Sequence, residues 1–207
     1  MNAILSKIDE EKKDRILSSA FAEFGRNGFE KASTNEIVQN AGISKGLLFH
    51  YFGNKQALYE ILKEFAVSYV MDLLEEGIDW NQSDLFLRVQ QITVLKLKAM
   101  EKYPHIYDFL KTAMEDVSTE QIKDQYSGRM RNLIGRAYQK NIDYSLFRPD
   151  VKIPKAIEMI QWTVEGAAVK LMRRQDGDMM KIMEEFQTYM ELLRKLLYPQ
   201  EGEERYD

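Results

Sequence analysis

Apolar residues recur at intervals of three and four along almost the whole of this 207-residue chain, and nowhere do they alternate with period two for long enough to make a strand. That pattern confines the chain to helices packed on helices. All four prolines, Pro104, Pro149, Pro154 and Pro199, fall between strongly helical stretches, where a missing N–H and a fixed φ do least harm. The expectation is an all-α fold of about nine helices, near residues 10–25, 35–41, 44–51, 54–76, 83–102, 104–116, 119–141, 153–174 and 178–197. Short helices fill the first 50 or so residues and six longer ones follow, so helix length sets the boundary between a small unit over 1–53 and a larger one over 54–207.

In the small unit, Ile16, Leu17, Ala20, Phe21 and Phe24 form one apolar stripe, and Gly25 and Gly28 are read as the end of that helix. Ser33 or Thr34 offers a side-chain oxygen to the free N–H groups of the next helix, which turns Ile37, Val38 and Ala41 inward. Gly42 breaks this second helix with a left-handed residue, Ser44 caps the third, and Leu48 and Phe52 anchor it. Helices of about eight residues are marginal in water on their own. The reason for the third is then sought on its outer face, which carries Lys45, Gly46, Leu47, Phe49 and His50. Two short helices joined through a glycine turn and braced by another helix can present such a face to the DNA major groove. Thr34, His50, Tyr51 and Lys55 are types that bond phosphates, and Lys55 stands near a helix N-terminus, where free N–H groups favour an anion. Within 24–58, Arg26, Lys31, Lys45 and Lys55 outnumber Glu30 and Glu36 by 4 to 2 in a chain of net charge −4, so a polyanion would meet the N-terminal quarter rather than the whole surface. Pairs of short helices also serve as plain packing units, and these residues alone leave both readings open.

The run Thr34-x-x-Ile37-Val38-x-x-Ala41-Gly42-Ile43-Ser44-Lys45-Gly46-x-Leu48-Phe49-His50-Tyr51-Phe52-x-x-Lys55-x-x-Leu58 resembles the DNA-binding signature of the TetR family of bacterial transcriptional regulators. The resemblance implies a helix-turn-helix domain over 1–53 and an effector-binding and dimerisation domain over 54–207. It implies base contacts from Lys45, Gly46, Leu47 and Phe49, and phosphate contacts from Thr34, His50, Tyr51 and Lys55, with Ser44 in the same DNA-binding set. Two positions depart from the family pattern. Leu47 stands where a small or hydroxylated residue is usual and can touch a thymine methyl without hydrogen-bonding a base, and Phe49 replaces the usual tyrosine and cannot donate to a phosphate. The expected function is that of a repressor, released from a palindromic double-stranded DNA operator by a small-molecule effector. The alternative is a helical protein-interaction or scaffolding module that keeps a degenerate helix-turn-helix.

The last two helices carry apolar stripes wide enough for burial on two sides. Ile157, Ile160, Val164, Ala168 and Leu171, with Met183, Phe186, Met190, Leu193 and Leu197, are assigned to a homodimer interface, leaving Met159 elsewhere on its helix and Tyr189 and Leu196 on an overlapping stripe. Between the two ends, Phe65, Tyr69, Phe86, Tyr107, Phe109 and Tyr126, together with Trp162, are candidates to line an apolar cavity for an apolar or aromatic effector. The helix from Asn54 spans about 34 Å at 1.5 Å per residue, enough to join Lys55 to that cavity near Phe65 and Tyr69.

An enzyme is not expected. His50 and His105 are the only histidines, neither follows a glutamate by three residues, and no phosphate loop or Gly-x-Ser-x-Gly occurs, so no catalytic residue, metal or cofactor is assigned. The absence of cysteine and of an apolar leader or membrane span fits a cytoplasmic protein.

Overall fold

A computed structural model describes residues 3–115, 120–173 and 179–199. Among them are nine α-helices and no strand: α1 (Glu10–Lys31), α2 (Thr34–Ala41), α3 (Lys45–Phe52), α4 (Lys55–Gly77), α5 (Leu85–Lys102), α6 (Ile106–Glu115), α7 (Glu120–Gln139), α8 (Ile153–Arg173) and α9 (Met179–Leu197). The all-α expectation is met, and apart from the end of α1 every helix boundary falls within two residues of the one read from the sequence.

The end of α1 differs for a packing reason. A Cβ at Gly25 would lie 3.0 Å from the Phe109 nitrogen and 3.2 Å from the Asp108 Cβ. The glycine thus stays inside the helix and lets the backbone of α6 approach it directly, and Thr112 Oγ1 donates to the Gly25 carbonyl at 3.1 Å. The helix kinks only at Gly28 and stops at Lys31.

Two compact units emerge, Met1–Ile78 with Gln91–Leu133, and Asp79–Gln90 with Ile134–Asp207. This division differs from a cut at residue 53 because α1 and α4 both pack against α6. The first unit is built around Ile16, Leu17, Ala20, Phe21 and Phe24, none of which exposes any surface. Burying each phenylalanine contributes about 1.5–3 kcal/mol. The rings of Phe24, Tyr59 and Phe109 meet at 5.0–6.4 Å, and Phe21 reaches Phe109 at 5.2 Å and Tyr103 at 5.6 Å. At the far end of the same contact, Asp14 of α1 accepts from Tyr103 Oη at 2.6 Å and from Lys102 Nζ at 2.5 Å. Burial alone would raise the Asp14 carboxyl, but these two hydrogen bonds, together with the charges of Lys102 and Lys13, outweigh it and hold the group below its ordinary range.

In the second unit, Asp84 accepts from the N–H groups of Phe86 and Leu87, and so caps α5, while its other oxygen takes Arg194 of α9 at 2.6 Å. Tyr198 packs between Phe86 and Phe147, with centroids at 5.1 and 4.9 Å. Among the described residues no helix is long and apolar enough to cross a membrane.

Candidate nucleic-acid interface

Each short helix of the N-terminal unit is fixed at its start by a side chain. Ser33, not Thr34, caps α2, its Oγ accepting from the Glu36 N–H at 3.4 Å, and its own N–H is held at 2.7 Å by buried Glu23. Ser44 Oγ accepts from the Leu47 N–H at 3.1 Å, and Asn54 Oδ1 from the Ala57 N–H at 2.8 Å. Gly42 between α2 and α3 has φ 66° and ψ 39°, the left-handed geometry that glycine adopts without cost. Ile37, Ala41, Leu48 and Phe52 point into the core, so the opposite faces of α2 and α3 look outward.

None of the nine residues assigned to DNA is buried; eight of them lie on α2, on α3 or at the cap of α3, and Lys55 opens α4. Ser44, Lys45, Gly46 and His50 are exposed, and Thr34, Leu47, Phe49, Tyr51 and Lys55 are half-buried. A Cβ at Gly46 would meet nothing within 4 Å. The protein's own packing therefore does not ask for glycine there. Lys45 Nζ lies 5.9 Å above the Phe49 ring, and His50 and Tyr51 stand with ring centroids 5.7 Å apart. Lys55 has a structural duty that the sequence did not announce. Its Nζ donates to the Glu30 carbonyl at 3.1 Å and sits 4.9 Å over the Phe29 ring, tying the start of α4 to the end of α1. An ammonium has three donors, so two remain for a phosphate.

Residues 16–62, from the core stripe of α1 through α3 into α4, match the sequence model of the family described as "Bacterial regulatory proteins, tetR family". Over 130 residues the chain is 31% identical to the uncharacterized HTH-type transcriptional regulator YvdT of Bacillus subtilis, taking in 54% of this chain and 67% of that one. The chain belongs to the TetR family. As a TetR-family protein it is a DNA-binding transcriptional regulator. It is also 27% identical over 108 residues to the negative transcriptional regulator IcaR of the biofilm operon in Staphylococcus epidermidis, covering 52% of this chain and 58% of that relative. Its fold matches that of the ketosteroid transcriptional regulator KstR2 of Mycobacterium tuberculosis with TM-score 0.69 at 16% identity, over 93% of this chain and 97% of the other.

The other assignments fare differently. Of the stripe given to a dimer interface, Ile160, Phe186, Met190, Leu193 and Leu197 are at most 9% exposed within a single protomer, and Ile157, Val164 and Met183 are half-buried. Phe186 and Met190, with Met183 and Phe86, line a half-open cavity of about 200 Å³. These side chains face their own chain because α8 and α9 pack on each other and α9 closes over the start of α5. Among the described side chains of the two helices, the large apolar ones left exposed are Met159 and Trp162 on α8, and Tyr189, Leu192 and Leu196 on α9.

The effector candidates are divided between the two units. Phe65 and Tyr69 stack at 5.7 Å, and both contact Tyr103 edge-on. Phe109 is wholly buried where α6 meets α1, Phe86 belongs to the second unit, and Trp162 is 66% exposed. The side chains of Tyr126, Ala168 and Leu171 lie outside the described residues. Among the described residues the buried Tyr107 hydroxyl has no hydrogen-bond partner, and burial, with a smaller contribution from Tyr69, pushes that phenol well above its ordinary range.

Proposed function

We propose that this TetR-family regulator acts as a homodimeric repressor, that two copies of α3 read the half-sites of a palindromic operator, and that a small apolar or aromatic effector releases it. The observation that carries the reading is α3 itself: eight residues, capped at its start, anchored by Leu48 and Phe52, and presenting an exposed surface on which Gly46 has open space in place of a neighbour. A backbone free of side chain at that point can approach a base edge closely, while Lys45 and His50 reach outward on either side. Half-sites about one helical turn apart, or a multiple of it, would suit two such heads.

The second copy is expected on the exposed face made by Met159, Trp162, Tyr189, Leu192 and Leu196. An exposed cluster of this kind, with Trp162 and Leu196 both more than 60% accessible, is the surface that self-association would cover. The effector is expected beside Phe65, Tyr69 and Tyr107 of α4 and α6. There the unpartnered Tyr107 hydroxyl would find an acceptor on the bound molecule. Both helices lead to the reading head, α4 through the Lys55 tie to Glu30 and α6 through its seat on Gly25. Release requires the effector to favour the DNA-incompetent arrangement by about 1–3 kcal/mol, a typical coupling.

Fluorescence anisotropy against the duplex upstream of the protein's own coding region, against a scrambled duplex and against a pool enriched from random sequence tests the reading. A palindromic consensus bound by two chains, with affinity falling steeply in salt, is the expected result. Equal, weak binding to every sequence, enriched pool included, would sink it.

A further inference from the structure

Arg88, in the first turn of α5, is wholly buried, yet no carboxylate among the described residues pairs with it. Its guanidinium donates to three backbone carbonyls, of Trp80 at 3.2 Å, of Lys140 at 3.4 Å and of Gln82, and its buried Nε–H has no partner among the described residues. These bonds staple residues 80–82 to the end of α7, but they leave the positive charge uncompensated. Burial lowers the guanidinium's pKa, and Asp79 is the only acid that opposes this. Asp79 itself accepts from the Asn81 N–H, and Asp84, on the same stretch, is held by Arg194.

Two more cations converge on the same ring. The Trp80 indole has the Arg88 Cζ at 5.5 Å, the Arg136 Cζ at 4.3 Å and the Lys140 Nζ at 5.5 Å. Arg136 is half-buried and Lys140 exposed, one turn apart at the end of α7, and neither forms an ion pair among the described residues. The ring face and the negative end of the helix account for part of this attraction. Neither supplies a full negative charge to three like charges, and the chain as a whole is acidic, at net −4, so the cluster is not a sample of a generally basic surface.

We propose that the Trp80–Arg136–Lys140 cluster, backed by buried Arg88, is a binding site for a multivalent phosphate anion. A guanidinium fork beside a point-charge ammonium suits tetrahedral oxyanions, and converging charges favour a phosphate chain over a single carboxylate. All four residues belong to the second unit and none lies in the stretch assigned to DNA.

Isothermal titration calorimetry of inorganic triphosphate into the full chain, at fixed ionic strength and without divalent cations, tests this. The variants are Arg136→Gln/Lys140→Gln and, separately, Lys45→Gln, which removes an ammonium from the start of α3. One saturable site per chain is expected, kept in Lys45→Gln and weakened at least tenfold in the double variant. If circular dichroism finds the double variant unfolded, Lys140→Gln alone is expected to weaken binding about threefold. No saturable heat in the wild type, heat unchanged by the α7 substitutions, or heat lost only with Lys45 overturns the proposal. Adenosine triphosphate in a parallel arm separates the sources: equal affinity assigns recognition to the phosphate chain, and tighter binding adds the nucleoside to it.

Discussion

Replacing Gly46 by alanine separates what α3 needs for folding from what it needs for DNA. The added methyl would meet no atom within 4 Å, so the substitution brings no clash. Alanine is favoured over glycine in a helix interior by about 1 kcal/mol, and in the first turn roughly half of that is expected. For a chain of this size the melting temperature should rise by about 1–2 °C. Against DNA the same methyl stands where the backbone must come closest. If each half-site loses about 1 kcal/mol, a two-headed complex loses about 2 kcal/mol, or roughly 30-fold in affinity. Thermal unfolding by circular dichroism and anisotropy titration on the enriched operator measure the two effects on one sample. Gly25→Ala is the contrast: its methyl would press on the Phe109 backbone at 3.0 Å, and overpacking of this kind costs about 1–3 kcal/mol of stability. A Gly46→Ala protein of unchanged operator affinity would refute the assignment of α3 as the reading head. One that unfolds as readily as Gly25→Ala would refute the claim that the site is open.

Asp14→Asn should lose about 1 kcal/mol at neutral pH once solvent screening of the half-exposed Lys102 is allowed for. Because the folded carboxyl is held below its ordinary value of 3.8, the wild-type advantage is complete above about pH 5 and shrinks as the pH falls through the folded pKa, which urea unfolding at pH 7 and pH 3 would check. Leu192→Glu with Leu196→Glu places charges on the exposed face of α9, and analytical ultracentrifugation should then find a folded monomer; an undisturbed dimer would rule that face out. Lys55→Ala is expected to weaken all DNA sequences alike and to flatten the salt slope by roughly one per head, and loss of the Glu30 contact should also lower the melting temperature slightly. Tyr107→Phe removes a buried hydroxyl with no partner among the described residues and should leave the free protein as stable or up to about 1 kcal/mol more so; a clear loss of stability by thermal unfolding would mean that the hydroxyl is bonded after all.

Much of this molecule is local and was legible in the order of its residues. Helix positions follow from a period of 3.6, and the start of α3 follows from Ser44, because a side-chain oxygen reaches a free N–H two or three residues on whatever the rest of the chain does; at α2 the order of residues left Ser33 and Thr34 open. Gly42 is local too, since the left-handed residue that ends a helix favours glycine, which takes up that conformation without a Cβ penalty. The nine DNA candidates lie within 22 residues, on α2, α3 and the start of α4, so their positions follow from local helix placement.

What the sequence left open depends on partners distant along the chain. Gly25 read as a stop because nothing nearby announces that Phe109 will lie against it 84 residues later. Periodicity found two apolar stripes on α8 and α9 but could not say which faces inward, because both have the same spacing and hydrophobicity, and only the packing of these helices in the protomer buries Ile160, Phe186 and Leu193 and leaves Trp162, Leu192 and Leu196 outside. Aromatic residues at helical spacing look alike whether they fill a core or line a cavity, so spacing alone groups Phe109 and Trp162 with Tyr69, although Phe109 is wholly buried and Trp162 is exposed. The gathering of Arg88, Arg136 and Lys140 around Trp80 joins segments some 50 residues apart, and a cation's need for a counter-charge becomes visible only when folding has removed the water that would have served it.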